Sequence, residues 1–211
     1  MISPKVNNMD FSIIIDNLKK RGYTVSTFET NDAACEYLTK EIHNTTIGFG
    51  GSITLKELGL FETLSVNNEV WWHGKGTQLK EYGSDYVIKK AMNTDIYITS
   101  ANALTESGQI INIDGRCNRI SSTLYGHKKV YYIIGKNKIA PTLEKAMWRA
   151  RNIAAPKNAQ RLGLDTPCAV KGDKCYDCSS PQRICRGFLV LERPPNGTEV
   201  EIVLINDSLG Y

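Results

Sequence analysis

The segment Thr45-Thr46-Ile47-Gly48-Phe49-Gly50-Gly51-Ser52-Ile53-Thr54 is the part of this chain that most clearly indicates its fold. Its first half, Thr45–Phe49, predicts a buried strand that runs directly into a double-glycine turn. The residues that follow, Thr54–Leu64, predict a helix. A short apolar run bounded by glycine and followed by a helix is typical of a strand in a parallel α/β sheet.

Segments on both sides of this stretch continue the alternation of strands and helices. Further strands are predicted at Tyr23–Phe28, Glu69–Trp72, Asp95–Thr99, Gln109–Ile113 (as half of a hairpin) and Lys129–Ile134. Further helices are predicted at Phe11–Lys20, from an Asn31 or Asp32 cap to about Ile42, at Asp85–Met92, and from Pro141 to about Ile153. Two last strands, Gly187–Glu192 and Thr198–Ile205, predict a closing antiparallel pair around Pro194-Pro195-Asn196-Gly197. The pattern predicts an α/β fold, with a mostly parallel sheet covered by helices on both faces.

Length and composition predict one soluble domain. The chain has 211 residues, of which 41% are hydrophobic and 23% are charged. We divide residues 1–211 into an N-terminal helical part (1–44), a core (45–160) and a cysteine-rich tail with the closing strands (161–211). Met1–Lys5 shows no signal-peptide pattern, and Val130–Ile134 is far shorter than a membrane span, so we expect a cytoplasmic protein without a membrane partner.

The net charge of +4 favours an anionic small-molecule partner and is too weak to indicate nucleic acid binding. The glycine turn is the predicted place for that anion. Ligands of open α/β sheets bind at the carboxyl ends of strands, where glycines and the start of a helix present backbone N–H groups. We therefore predict ligand binding by Gly50, Gly51, Ser52 and Thr54. The alternative is a tight turn in which Ser52 only caps the helix.

A second polar segment follows the Asp95–Thr99 strand. Glu106 is a candidate catalytic base or nucleophile, and Asp114 is a candidate for the same role or an anchor for Arg119. The predicted ligand-binding side chains of this segment are Asn102, Thr105, Asn118 and Arg119. The alternative is a hairpin with turns at Glu106-Ser107-Gly108 and Asp114-Gly115.

The tail carries four of the six cysteines, which are Cys168, Cys175, Cys178 and Cys185. Four thiolates in a reducing compartment indicate a metal site more than disulfides. Since structural zinc often uses two Cys-x-x-Cys pairs and this tail has one, the spacing favours a [4Fe–4S] cluster over zinc. The third alternative is a tail that binds no metal.

Several motifs together resemble the LUD (lactate-utilisation) family, typified by lactate-utilisation protein C. They are Gly-Phe-Gly-Gly-Ser-Ile-Thr-Leu at 48–55, Thr-Ser-Ala-Asn-Ala-Leu-Thr-Glu-Ser-Gly at 99–108 and Asn-Ile-Asp-Gly-Arg-Cys-Asn-Arg at 112–119, joined by Gly135–Ile139, Ala154–Ala159 and the cysteine tail. The resemblance implies a fold similar to the sugar-phosphate isomerase and CoA-transferase superfamily (NagB/RpiA-like). It also implies an anion held at Gly50–Ser52, with Glu106 or Asp114 near the reacting carbon. Cys117 departs from the family pattern, where glycine or threonine is expected.

The resemblance ties the chain to oxidation of L-lactate alongside iron–sulfur partner proteins. Three functions stay open. The first is an enzyme or enzyme subunit that acts on lactate or another small anionic metabolite. The second is a non-catalytic assembly subunit that carries a metal or cluster. The third is an isomerase or transferase of a phosphosugar or CoA thioester, and a homo-oligomer is left open in each case.

Overall fold

A computed structural model describes residues 10–211, so Met1–Lys5 lie outside the described residues. The strands are β1 (Thr24–Phe28), β2 (Thr46–Phe49), β3 (Glu69–Trp71), β4 (Ile96–Thr99), β5 (Ala103–Thr105), β6 (Ile110–Asp114), β7 (Lys129–Gly135), β8 (Ile139–Ala140), β9 (Gly187–Leu191) and β10 (Glu199–Ile205). Six of them form a sheet in the order β1-β10-β7-β4-β2-β3, and every neighbouring pair in it is parallel. The other four form a mixed sheet in the order β8-β5-β6-β9.

The helices alternate with these strands along the chain. They are α1 (Ser12–Lys20), α2 (Asn31–Glu41), α3 (Ile53–Glu57), α4 (Leu60–Leu64), α5 (Thr77–Tyr82), α6 (Ser84–Ala91), α7 (Asn118–Leu124), α8 (Leu143–Arg149), α9 (Ala155–Arg161) and α10 (Pro167–Lys171). A π-helical turn, Ala150–Ala154, joins α8 to α9. The predicted α/β class with a mostly parallel sheet is thereby confirmed.

Most of the core consists of three clusters of packed apolar side chains. One face of the six-stranded sheet packs against α2, α3 and α4 through residues such as Leu38, Leu55 and Leu60, all fully buried. The other face packs against α1 and the inner side of the four-stranded sheet. The outer side of the four-stranded sheet is covered by α8 and the π-helical turn. Only part of the second face is therefore covered by a helix, because the smaller sheet takes the rest.

The prediction of a closing antiparallel pair is wrong. Residues 187–191 form β9, which pairs antiparallel with β6 in the smaller sheet. Residues 199–205 form β10, which lies between β1 and β7 in the parallel sheet. Nearly every side chain of β10 is buried, and such a continuous buried run is typical of a central parallel strand. The turn at 194–197 thus carries the chain from one sheet to the other.

Three helix boundaries also differ from the predictions. Gly59, with φ +62°, divides the predicted Thr54–Leu64 helix into α3 and α4. Thr30, and neither Asn31 nor Asp32, caps α2, since its hydroxyl accepts a hydrogen bond from the Ala33 N–H. Thr142 caps α8 in the same way, one residue after Pro141.

Within residues 10–211, every helix is too short or too polar to cross a bilayer.

Candidate functional site

A cavity of about 550 Å³ opens at the carboxyl ends of β2, β4 and β7. Parallel strands end at the same edge of a sheet, so the loops that follow them share this space. The polar lining side chains are Ser52, Thr54, Lys56, His73, Lys75, Ser100, Asn102, Arg119, Lys138, Asn158 and Arg161. Gly51 and Tyr211 also line the cavity. The volume is within the range of small-molecule sites, which is about 300–1,000 Å³.

The charged side chains that line this cavity are lysines and arginines. Five lining residues are lysine or arginine: Lys56, Lys75, Arg119, Lys138 and Arg161. Among the described residues, no aspartate or glutamate lines it. A concave wall of one sign concentrates ions of the opposite sign, so the cavity is electrostatically suited to an anion.

Lys138 is the most deeply buried of these cations, with only 3% of its surface exposed. Its Nζ donates hydrogen bonds to Thr54 Oγ1 and Ser100 Oγ, both at 2.8 Å. It forms no ion pair with any carboxylate of residues 10–211. Burial, followed by the charges of Arg149 and Arg119, lowers the pKa of Lys138 to about 7. Both its ammonium and its amine are therefore present at neutral pH.

Arg149 holds the loops around Lys138 in place. Its Nε donates to the Asn137 carbonyl oxygen at 2.9 Å, and its NH1 donates to the carbonyl oxygens of Asn102 and Tyr211. Three separate segments of chain thus meet at one guanidinium group. Burial lowers the pKa of Arg149 to about 10, and the group still carries its charge at neutral pH.

Asp114 and Arg119 are in contact, but their side chains do not form the predicted ion pair. Asp114 Oδ2 accepts hydrogen bonds from the backbone N–H groups of Arg119 (3.0 Å) and Ile120 (3.2 Å) at the start of α7. The Arg119 guanidinium donates instead to the Ile113 carbonyl oxygen at 2.6 Å and to Asn102 Oδ1 at 3.4 Å. Asp114 thereby orients the segment that carries Arg119, and its carboxylate is outside the cavity lining.

The glycine turn brings Ser52 and His73 to the same wall. Ser52 caps α3 by accepting the Leu55 N–H, as the alternative prediction has it, and it also lines the cavity. A Cβ at Gly51 would lie 3.2 Å from His73 Nε2, and glycine therefore permits this close approach. Burial lowers the pKa of His73, which keeps its imidazole largely neutral at pH 7.

Of the predicted site residues, Gly51, Ser52, Thr54, Asn102 and Arg119 line the cavity, and Gly50 precedes them in the same turn. Thr105, Glu106, Asp114 and Asn118 do not. Glu106 is exposed, and its backbone bonds to Ala140 and to the Asn17 side chain. Glu106 is far from the cavity because the three residues of β5 separate it from Asn102, and three residues of a strand span roughly 10 Å. The structure therefore does not bring Glu106 to the cavity.

The sequence prediction missed Lys138 and Arg149. A signal for Lys138 existed, since it lies three residues beyond β7, at the edge where β2 and β4 also end. No local pattern identifies Arg149, because its three carbonyl partners come from distant segments.

A second cavity, of about 230 Å³, is lined by all four tail cysteines. None of the six cysteines forms a disulfide. The segment 150–161 separates the two cavities, since Ala154 and Asn158 line the first and Ala155 and Ala159 line the second. Cys117 is adjacent, with its Sγ against Gly187, and it has φ +61°. This left-handed conformation favours glycine, which gives a physical reason for the small residue expected there.

The fold and the first cavity define an α/β protein with a cationic cleft at the carboxyl edge of its parallel sheet. Residues 12–205 match the model of the LUD domain, and the chain belongs to the LUD-domain family. This confirms the predicted resemblance.

Two solved structures are similar to this chain. A DUF162 family protein from Deinococcus radiodurans has 11% sequence identity and a TM-score of 0.48, with 93% of this chain and 99% of that chain covered. Ribose 5-phosphate isomerase A from Neisseria gonorrhoeae has 17% identity and a TM-score of 0.35, with 55% and 57% covered. No curated protein matches the chain.

Proposed function

We propose that this LUD-domain protein binds a small anionic metabolite in the cationic cavity, as an enzyme or enzyme subunit in the utilisation of lactate or another 2-hydroxy acid. One observation carries the proposal: the buried ammonium of Lys138 forms no ion pair with a carboxylate of residues 10–211, only Glu57 attracts it from a distance, and it faces a cavity with four further cations. A buried charge without a counterion costs free energy. An anion in the cavity offsets that cost.

The hydroxyl groups around Lys138 support binding of an anion with directed oxygen atoms. Ser100, which accepts a hydrogen bond from the ammonium, and Ser52 both line the cavity, so a carboxylate or phosphate can receive hydrogen bonds from their hydroxyls as well as from Lys138. Arg119 adds a guanidinium, which binds either group through two parallel hydrogen bonds. Lys138 then has a second use, because a group with a pKa near neutrality can donate or accept a proton during catalysis.

The size and charge of the cavity favour a second candidate ligand, a phosphorylated one such as a phosphosugar or a CoA thioester. A single carboxylate needs one or two cations, whereas five line this wall. The cavity volume of about 550 Å³ is also larger than a molecule as small as lactate can fill. Both candidates use the same cations and differ in the number of negative charges on the ligand.

Calorimetric titration of the full chain with L-lactate, ribose 5-phosphate and sulfate tests the proposal. The variant Lys138→Met removes the buried charge, and Lys89→Met is a matched control because Lys89 is exposed on α6, outside the cavity lining. We expect binding of at least one anion, a loss with Lys138→Met, and no change with Lys89→Met. Equal affinities in all three proteins, or no binding at all, would refute the proposal.

The identity of the tightest ligand separates the two candidates. Preference for L-lactate supports 2-hydroxy acid utilisation, and preference for ribose 5-phosphate supports the phosphorylated ligand. If neither variant nor wild type turns over a bound ligand when iron–sulfur partner proteins are added, the role as a non-catalytic assembly subunit is favoured.

A further inference from the structure

We infer that the cavity formed by Cys168, Cys175, Cys178 and Cys185 holds a [4Fe–4S] cluster within this chain. This site is independent of the anion cavity and of the function proposed for it. The four cysteines come from three separate places in the tail: α10, the loop after it, and the segment before β9. All four nonetheless line one enclosed space of about 230 Å³.

The size of this space distinguishes a cluster from a single ion. Zinc bonds to thiolates at about 2.3 Å, which draws four sulfurs tightly around one centre. A cluster spreads its four thiolates over four irons. The cavity, several times the roughly 30 Å³ that one water occupies, suits the larger group.

Two of the cysteine sulfurs already accept hydrogen bonds, and a third lies beside a hydroxyl group. The Asp177 backbone N–H donates to Cys175 Sγ, and the Arg183 Nε donates to Cys185 Sγ, both at 3.3 Å. The Thr166 hydroxyl lies 3.3 Å from Cys168 Sγ. Asp177, which lies between Cys175 and Cys178, adopts a left-handed conformation with φ +44°. Hydrogen bonds to cysteine sulfur are among the interactions that tune iron–sulfur clusters.

The walls of the cavity provide charge and an apolar floor. Arg151, Arg183 and Arg186 line it, and they offset the net charge of about −2 that a cluster with four thiolates carries in its oxidised form. Ile113 and Phe188 of the smaller sheet form the floor. The small side chains Ala155 and Ala159 of α9 leave room on the opposite side.

The loop that carries Cys175 and Cys178 is fixed before any metal binds. The Asn152 side chain accepts a hydrogen bond from the Cys175 N–H at 3.1 Å. Arg183 NH1 donates to the Cys178 carbonyl oxygen at 2.6 Å. Because these bonds use backbone atoms and leave the sulfurs available, the loop is preorganised to bind metal.

The test is anaerobic purification of the full chain, reconstitution with Fe²⁺ and sulfide, and measurement of iron, acid-labile sulfide and the absorption band near 400 nm. We expect about four irons and four sulfides per chain. Cys178→Ser should lose most of the bound iron. Cys35→Ser is the matched control and should retain it, because Cys35 packs under α4 and outside the cavity. Far-UV circular dichroism verifies that both variants fold.

The composition of the bound metal decides the result. One zinc without sulfide, or no metal in a folded protein, overturns the inference, and so does full iron in Cys178→Ser. A second readout uses Arg183→Met, which removes a positive charge and an N–H donor beside Cys185. The reduction potential of the cluster should become more negative, since both lost interactions stabilise the reduced form. An unchanged potential contradicts the assignment of Cys185 as a ligand.

Discussion

The proposed role of Lys138 makes anion binding dependent on pH in a direction that the structure fixes. In the empty protein the pKa of Lys138 is about 7. A bound anion beside the ammonium raises that pKa, so binding takes up a proton. The affinity is therefore full well below pH 7 and declines as the pH rises through the pKa of the free protein toward the raised pKa of the complex.

The size of the effect follows from the protonated fraction of the free protein. If only the ammonium form binds, the affinity for a ligand of constant charge falls roughly 25-fold between pH 6.5 and 8.5, because the protonated fraction of a group with a pKa of about 7 falls from about 0.76 to about 0.03. At pH 6.5, Lys138→Met should lose about 1.5–3 kcal/mol of binding free energy, the contribution of a charged hydrogen bond. Its affinity should then change little with pH.

Sulfate is the appropriate probe, because its charge is constant over this range, and calorimetry measures both the affinity and the proton uptake. The other charged or titratable groups that line the cavity are His73, Lys56, Lys75, Arg119, Arg161 and Tyr211. Arg149 and Glu57 also act on Lys138 through their charges. Since burial lowers the pKa of His73, the His73→Asn variant measures any contribution from that ring. A steep pH dependence that persists in Lys138→Met, or a flat profile in the wild type, would refute the reasoning.

Four further outcomes are expected. Between pH 7 and pH 10, the free energy of unfolding of the empty wild-type protein should rise by up to about 1.4 kcal/mol per pH unit relative to Lys138→Met. The reason is that Lys138 keeps its proton in the unfolded chain and has lost it in the folded chain. Urea unfolding of both proteins at several pH values measures this difference. Gly48→Ala should lower the free energy of unfolding by about 3 kcal/mol or more in the same urea titration, since its Cβ would overlap the Ala91 carbonyl oxygen. Gly59→Ala should lower it by only about 1 kcal/mol, because the new Cβ meets open space and the only cost is the left-handed φ of +62°. Arg149→Lys should lose about 2–3 kcal/mol, because one ammonium cannot satisfy the three carbonyls that the guanidinium reaches, and an unchanged unfolding midpoint would show that these bonds are dispensable. Glu106→Gln should leave sulfate affinity within about twofold of wild type, the usual range for an exposed substitution, and a tenfold loss by calorimetry would restore the carboxylate to the binding site.

The sequence predicted those features that depend on local pattern. The apolar run of β2 and the glycines after it placed one wall of the cavity correctly, because a buried strand followed by a tight turn has few alternatives in a parallel sheet. The four cysteines could also be recognised from their spacing alone. In both cases the residues that matter are near one another in the chain.

The features that the sequence did not predict depend on distant partners. The run of apolar side chains in β10 indicated burial, but it did not indicate that β1 and β7 are its neighbours. Glu106 follows a polar segment that begins at the sheet edge, and only the pairing of β5 with β6 and β8 carries it away. The burial of Lys138 likewise results from packing around Arg149, since an isolated lysine in a loop is usually exposed.

The position of β10 also governs the order in which the molecule can assemble. Thr24 of β1 pairs with Glu201 of β10, and β1 has no other strand beside it among residues 10–211. At a synthesis rate of roughly 5–20 residues per second, β10 leaves the ribosome about 10–35 s after β1. During that interval β1 lacks its sheet partner. The edge of β7, which is synthesised 70 residues before β10, is open to other chains for roughly the last 4–14 s of it. Completion of the parallel sheet is therefore a late, long-range event, which makes folding slow and the nascent chain dependent on protection from aggregation.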